Sequence, residues 1–237
     1  MFRLLKVLPL TLALAGLAIF AAGCGSTSQL QVRVVHAIPD GPAVDIDVNG
    51  TKVITNLVFN SFQPASGYLK VKAGNDTVAV LDTGTTTQIL SSTVPLSGST
   101  QYTVVAAGFL ANPSAALITD NNAAPTSGNI EIRVIHASPS GTTPLDVYIV
   151  PPGTNITTVT PQISGLSNNT QASAYIPVAF AANGYSVILT ASQNKTPLFP
   201  SPYGIAPPTG SIRTLVLVDV QNGGAMSPTP LVLNDLN

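Results

Sequence analysis

Two histidines are the residues whose surroundings suggest chemistry most directly. His36 lies near Asp40 and Asp45, and His136 lies ten residues before Asp146. An imidazole beside carboxylates is typical of a general base or of a metal site. However, one histidine in each group is too few ligands for a zinc site. We therefore predict structural roles for both histidines, with no catalytic residue, no metal and no cofactor.

The segment around His36 returns about 100 residues later, so the chain contains an internal repeat. RVVHAIPDGPAVDIDV at 33–48 recurs as RVIHASPSGTTPLDVYIV at 133–150. Weaker echoes join SGYLKV at 66–71 to SAYIPV at 173–178, YTVVAA at 102–107 to RTLVLV at 213–218, and ALITDN at 116–121 to LVLND at 231–235. A repeat of this length corresponds to a whole domain and is too long for a solenoid unit. The sequence predicts two units of similar fold.

Each unit has the apolar alternation of β-strands. Val32, Val34 and His36 share one strand face, and short β-branched runs alternate with Gly, Pro and Asn turns along both units. The pattern predicts an all-β chain of two tandem antiparallel β-sandwich domains of immunoglobulin-like type. It also directs His36 toward the core at the end of its strand, where the ring nitrogens would bond to the backbone of the turn.

Arg33 has the opposite parity and is a candidate for a charge pair. If the turn after His36 closes a hairpin, Arg33 lies opposite Asp47, while Arg133 has Asp146 as a diagonal neighbour. Such a pair is also a possible binding site for an anionic ligand. Pairing across a sheet explains the same residues without a ligand, so we predict structural roles for Arg33, Asp47, Arg133 and Asp146.

The pattern of residues 1–23 predicts an export signal. Arg3 and Lys6 precede an apolar run of about 14 residues, which ends shortly before the only cysteine, Cys24. The run is shorter than the roughly 20 residues that span a bilayer. The small residues before Cys24 resemble a lipobox, which implies a lipid anchor at this cysteine. We expect a lipoprotein of the cell envelope, in the outer membrane if the organism has one.

The remaining chain divides by composition. We expect a tether at 24–29, a first unit at 30–121, a linker at 122–129 and a second unit at 130–237. After the signal, seven basic and ten acidic residues give a formal net charge of −3, so no nucleic-acid partner is expected. Charged residues make up 8% of the chain, against roughly 25% in ordinary soluble proteins.

Two classes of function fit these features. The first is a non-catalytic envelope protein with a structural or adhesive role. The alternative is a carbohydrate- or peptide-binding module that uses Phe199 and Tyr203, in a proline-rich insertion of the second unit, as a stacking platform. An enzyme is not expected, because the sequence has no Gly-x-Ser-x-Gly elbow and Glu131 is its single glutamate.

The segments RVVHAIPDGPAVDIDVNG, SGYLKVKAGNDTVAV and YTVVAAG resemble the bacterial family called domain of unknown function 4397 (DUF4397). Both units resemble it, over about 30–121 and 130–235, and Arg-Val-x-His-Ala-x-Pro is the most specific piece. The resemblance implies exported, envelope-associated β domains, often in tandem. With the lipid anchor, it suggests the membrane and an envelope polysaccharide or protein as partners. It supplies no activity and no catalytic residues.

Overall fold

The computed structural model describes residues 29–72, 74–96, 100–168 and 170–236. These residues form 18 strands and one short 3-10 helix, Ile156–Thr158. No helix among them is long and apolar enough to cross a membrane. The predicted signal peptide, the tether up to Ser28 and the lipidation site Cys24 lie outside the described residues.

Nine strands belong to each half of the chain. The first unit contains β1 Gln29–His36, β2 Val44–Val48, β3 Thr51–Leu57, β4 Ser61–Gln63, β5 Leu69–Lys72, β6 Gly74–Asp82, β7 Gln88–Leu96, β8 Gln101–Ala107 and β9 Ser114–Asp120. The second unit contains β10 Asn129–His136, β11 Leu145–Val150, β12 Ile163–Leu166, β13 Gln171–Ala172, β14 Ile176–Ala179, β15 Tyr185–Ala191, β16 Tyr203–Ile205, β17 Ile212–Leu217 and β18 Leu231–Leu236.

The strands form four sheets, arranged in two sandwich-like sets. The first unit has the orders β4-β1-β8-β9 and β3-β2-β6-β7, with β5 also paired to β1. The second unit has the corresponding orders β13-β10-β17-β18 and β12-β11-β15-β16, with β14 also paired to β10. The all-β prediction is confirmed. The prediction of purely antiparallel sheets is wrong, because β1 pairs in parallel with β8 and β10 pairs in parallel with β17.

The predicted hairpin between β1 and β2 does not form. β1 pairs with β4, β5 and β8, whereas β2 lies in the other sheet between β3 and β6. The segment between them therefore crosses from one sheet to the other, and Arg33 is not opposite Asp47. Asn49-Gly50, a dipeptide typical of tight hairpins, joins β2 to β3, with positive φ at both turn residues as a type I′ turn requires.

Each unit has its own apolar core, and a third apolar cluster joins the two units. Val35, Ala37, Val105 and Ala107 of the first unit pack with a matching group of the second unit. That group comprises Ile135, Ala137, Val216, Val218 and Leu233. The central strands β1 and β10 are therefore buried on both faces, which explains their almost continuous runs of Val and Ile.

Candidate functional site

A cluster of two arginines and two aspartates lies buried where the two units meet. Its members are Arg33, Asp120, Arg133 and Asp235, and their side chains are at most 1% exposed. We call this group the arginine–aspartate cluster. Its formal charges cancel, and their mutual attraction offsets the cost of removing them from water only if close contacts and further hydrogen bonds satisfy each group.

Each arginine binds the carboxylate of the opposite unit. Arg33 Nη2 donates to Asp235 Oδ1 at 2.6 Å, and Arg133 Nη2 donates to Asp120 Oδ1 at 2.6 Å. Nη1 of each arginine donates to the backbone carbonyl of the residue before that aspartate, Asn234 for Arg33 and Thr119 for Arg133. The contacts of the two units are therefore reciprocal.

Two threonines and two tyrosines complete the cluster. Arg33 donates through Nε to Thr103 Oγ1, which in turn donates to Asp120 at 2.6 Å. Thr214 has the same role in the second unit, between Arg133 Nε and Asp235. In addition, the guanidinium carbon of each arginine lies over an aromatic ring, Tyr68 for Arg33 at 5.1 Å and Tyr175 for Arg133 at 4.5 Å.

The pKa values of the cluster follow from this burial. Burial raises the pKa of the Tyr175 hydroxyl to about 12, although Arg133 acts to lower it. Burial likewise raises the pKa of Tyr68. The pKa of Asp235 is also raised by burial, opposed mainly by Arg33. The two tyrosines stay neutral near pH 7, and the arginines and aspartates are paired with one another. The arrangement therefore fits a structural contact better than a site of proton transfer.

The expected partner of Arg33 was therefore wrong. Arg33 and Arg133 bond to Asp120 and Asp235, which lie at the ends of β9 and β18, and not to Asp47 or Asp146. The physical reason is that the outer face of β1 packs against the second unit instead of facing water. Asp47 retains one buried carboxylate oxygen without a hydrogen-bond partner in the described part of the chain.

His36 is fully buried and bonded to the turn that follows it. Its Nε2 donates to the carbonyl of Pro42 at 2.8 Å, and its Nδ1 accepts from the amide of Ile38 at 3.3 Å. Since a carbonyl only accepts, the proton is assigned to Nε2. Burial lowers the pKa of His36, so the ring is neutral near pH 7.

His136 occupies the corresponding place but makes different contacts. Neither ring nitrogen has a hydrogen-bond partner within the described residues. Burial lowers the pKa of His136 to about 4, although nearby Asp219 acts to raise it. Gly141 lies so close that a Cβ there would meet the ring at 2.8 Å. No group of three or more His, Cys, Asp or Glu side chains suited to hold a metal ion occurs in the described ranges.

The aromatic pair predicted as a platform packs back onto the protein. Phe199 and Tyr203 are half-buried against the core of the second unit. Tyr203 also lines a surface groove of about 310 Å³, together with Ile205, Pro207 and Arg213. The two rings therefore do not form an open stacking surface. The groove beside Tyr203 is the part of the predicted ligand-binding site that is still open to a ligand.

The sequence pointed to Arg33 and Arg133 but missed their partners. Tyr68, Thr103 and Asp120 all lie in echoed segments, opposite Tyr175, Thr214 and Asp235 in the alignment of the two units. Each aligned pair occupies equivalent places in the cluster. In each of these weakly similar segments the polar residue is identical in the two units. This identity is the sequence signal that points to the partners of the arginines.

The comparisons with known proteins give one family and a distant structural likeness. A family model described as "Domain of unknown function (DUF4397)" matches residues 30–148. One similar solved structure is the crystal structure of CBMbc (family CBM26) from Eubacterium rectale Amy13K in complex with maltoheptaose. It has 14% identity and a TM-score of 0.26 and covers 88% of this chain and 98% of that chain. No curated protein matches the sequence.

Proposed function

The chain belongs to the family described as domain of unknown function (DUF4397), and on that premise we propose that it is a non-catalytic protein of the cell envelope with a structural or adhesive role. One observation carries the proposal. The most specific part of the repeated motif is buried, since Arg33 and His36 are at most 1% exposed and their side chains bond to Asp235 and to the backbone of Pro42. A motif used in this way serves the fold, which leaves the surface loops for contact with partners.

We also propose that residues 130–235 are a second copy of the family domain. The equal strand orders of the two units and the reciprocal arginine contacts support this assignment. A tandem pair fixed by a shared apolar cluster holds its loops at a set spacing. Fixed spacing is useful to an adhesive or scaffolding protein, because two weak contacts then act together.

Lipid anchoring at Cys24 is the part of the proposal that places the protein in the envelope. Its support is the apolar run and the small residues before the cysteine. The test compares wild type with Cys24→Ser by cell fractionation and labelling with a radioactive fatty acid. We expect the label and the membrane association to be lost together. A variant that remains in the membrane fraction would refute the anchor at this residue.

A ligand-binding role is the second candidate, favoured by the groove of about 310 Å³ beside Tyr203. Binding to purified envelope polysaccharide and peptidoglycan would be measured for wild type, Tyr203→Ala and Phe199→Ala. Of the two aromatic residues, Tyr203 lines this groove and Phe199 does not, so we expect Tyr203→Ala to weaken binding and Phe199→Ala to leave it unchanged. Equal binding by all three proteins would exclude the groove.

A further inference from the structure

A buried carboxylate in the first unit is saturated by four donors. Asp45 accepts hydrogen bonds from the backbone amides of Asn56 and Gly84 and from the hydroxyl of Thr83. The ammonium of Lys52 is the fourth donor, at 2.5 Å. A carboxylate has about four acceptor positions, so the acceptor capacity of Asp45 is filled.

Asp146 occupies the same place in the second unit but receives two donors from the described residues. The backbone amides of Gly165 and Gln193 donate to it, each at 2.9 Å. These two residues have positive φ, as do Asn56 and Gly84 of the first unit. The backbone cradle is therefore repeated in both units, while the two side-chain donors are missing from the second.

The ammonium donor is missing because a proline stands in its place. Pro161 lies four residues before Gly165, as Lys52 lies four residues before Asn56. β3 and β12 pair in the same way with β2 and β11, since Ile54 and Leu57 face Ile46 and Val44 as Ile163 and Leu166 face Val147 and Leu145. Lys52 lies within β3, whereas Pro161 lies two residues before β12. Within the described residues, no Lys or Arg nitrogen lies within 4.0 Å of the Asp146 carboxylate.

The hydroxyl donor is present in the sequence but does not reach the carboxylate. Ser192 corresponds to Thr83, because the Ser192 amide donates to the carbonyl of Pro144 as the Thr83 amide donates to Ala43. Thr83 Oγ1 lies 3.0 Å from Asp45 Oδ1, whereas Ser192 makes no hydrogen bond to Asp146 in the described structure. Asp146 therefore retains two unused acceptor positions.

The two unused acceptor positions of Asp146 adjoin a surface cavity of about 420 Å³. This volume is within the range of sites that bind small molecules. Asp146, Tyr148, Pro161 and Lys195 line it. Tyr148 is fully buried, and its hydroxyl has no partner among the residues described. The Lys195 ammonium lies at the same cavity, where it donates to the carbonyl of Val159 and lies 4.8 Å from the centre of the Tyr148 ring. It forms no ion pair with Asp146 in the described structure, so the carboxylate positions are left to a ligand.

We propose that this cavity binds a small polar ligand that carries a primary ammonium with a hydroxyl on the neighbouring carbon, the chemistry of a hexosamine. The ligand ammonium takes the position at Asp146 that Lys52 takes at Asp45. The ligand hydroxyl takes the position of the Thr83 hydroxyl. Charge-assisted hydrogen bonds of this kind are about twice as strong as neutral ones, which makes the ammonium the main determinant of affinity.

The test uses the chain from residue 24 to residue 237. Glucosamine, N-acetylglucosamine and Nα-acetyl-lysine amide are titrated into it, and binding is measured by calorimetry and NMR. We expect saturable binding of glucosamine and at least tenfold weaker binding of N-acetylglucosamine, which lacks the ammonium. We expect the lysine derivative, which lacks the neighbouring hydroxyl, to bind more weakly than glucosamine. Absence of glucosamine binding, or equal binding of the acetylated sugar, overturns the proposal. Tighter binding of the lysine derivative overturns the hexosamine assignment.

Substitutions at Pro161 and Asp146, each with a matched control, test the location of the site. Pro161→Lys supplies the ammonium from within the chain, so we expect it to reduce glucosamine affinity at least tenfold with no loss of thermal stability. Pro161→Gln, of similar length but uncharged, should retain binding. Asp146→Asn should also abolish binding, whereas Asp45→Asn should not change it. A Pro161→Lys protein that binds like wild type would refute the site even if Asp146→Asn fails to fold.

Discussion

Arg33 and Asp235 stand 202 positions apart in the chain, yet Arg33 Nη2 lies 2.6 Å from Asp235 Oδ1 inside the protein. The last described strand thus reaches back to the first. Asp120 and Arg133 form the equivalent contact from the other side. The two units are therefore coupled through charged groups that water does not reach.

The first prediction concerns the loss of one charge from the arginine–aspartate cluster. Asp235→Asn leaves Arg33 buried without its closest carboxylate, so we expect a loss of about 3–5 kcal/mol in the free energy of unfolding. Denaturant unfolding at pH 7 measures it. Asp82→Asn is the control, because Asp82 is half-buried and has no ion pair among the described residues. Equal losses in the two variants would contradict the prediction.

The second prediction separates the energy of the pair from the cost of breaking it. In Arg33→Met with Asp235→Leu both charges are absent, so no uncompensated buried charge remains. We expect the double variant to be more stable than the sum of the single variants implies, with a coupling of about 0.5–3 kcal/mol. A complete double-mutant cycle in urea measures this. Additive losses would mean that the two side chains contribute independently.

Much of the fold could be predicted from the sequence, because alternation and turn residues are local signals. The Asn49-Gly50 hairpin and the C-terminal strand β18 are examples. The pairing of β1 could not be predicted, since it depends on which sheet the chain enters after the turn. Parity placed Arg33 on the outer face of β1, but only the packing of the second unit makes that face buried.

The cavity beside Asp146 shows a second limit of the sequence. Asp45 and Asp146 are aligned by the repeat, and both are buried. Their difference depends on Lys52 and Pro161, which lie in segments too dissimilar to align from sequence alone. The equivalence of Lys52 and Pro161 depends on the folded structure, through the positive φ of Asn56 and Gly165 and the matching pairing of their strands.

The third prediction compares the two histidines directly. His36→Leu leaves the Ile38 amide and the Pro42 carbonyl without partners, so we expect a loss of about 1–3 kcal/mol. His136→Leu removes two ring nitrogens that have no hydrogen-bond partner in the described structure, and we expect it to be neutral or stabilising at pH 7. Thermal unfolding of both variants provides the measurement. A larger loss for His136→Leu would show that its ring nitrogens are bonded after all.

The fourth prediction follows from the lowered pKa of His136. Because its folded pKa is about 4 and its ordinary value is about 6.5, the unfolded chain binds more protons between these values. Stability therefore falls as the pH falls from about 6.5 to 4, by up to about 3 kcal/mol from this residue. His36, whose pKa is also lowered, adds to the loss in the same direction.

His136→Leu isolates that contribution. Wild type and variant would be unfolded with urea at several values between pH 7 and pH 4.5. We expect the variant to gain stability relative to wild type as the pH falls, because only wild type retains the depressed group. Parallel stability curves would mean that His136 titrates at its ordinary pKa.

The last prediction concerns the first unit alone, residues 24–122. Without the second unit, Val35, Ala37 and Val105 lose their covering and Arg33 loses Asp235. Because Asp120 is the counterpart of Asp235, a second copy of the fragment offers the same contacts, and a symmetric interface closes with two copies. We therefore expect a dimer in sedimentation equilibrium whose thermal stability rises with protein concentration. Asp120→Asn should shift this fragment to monomer, and a stable monomer with cooperative unfolding would show that the interface is dispensable.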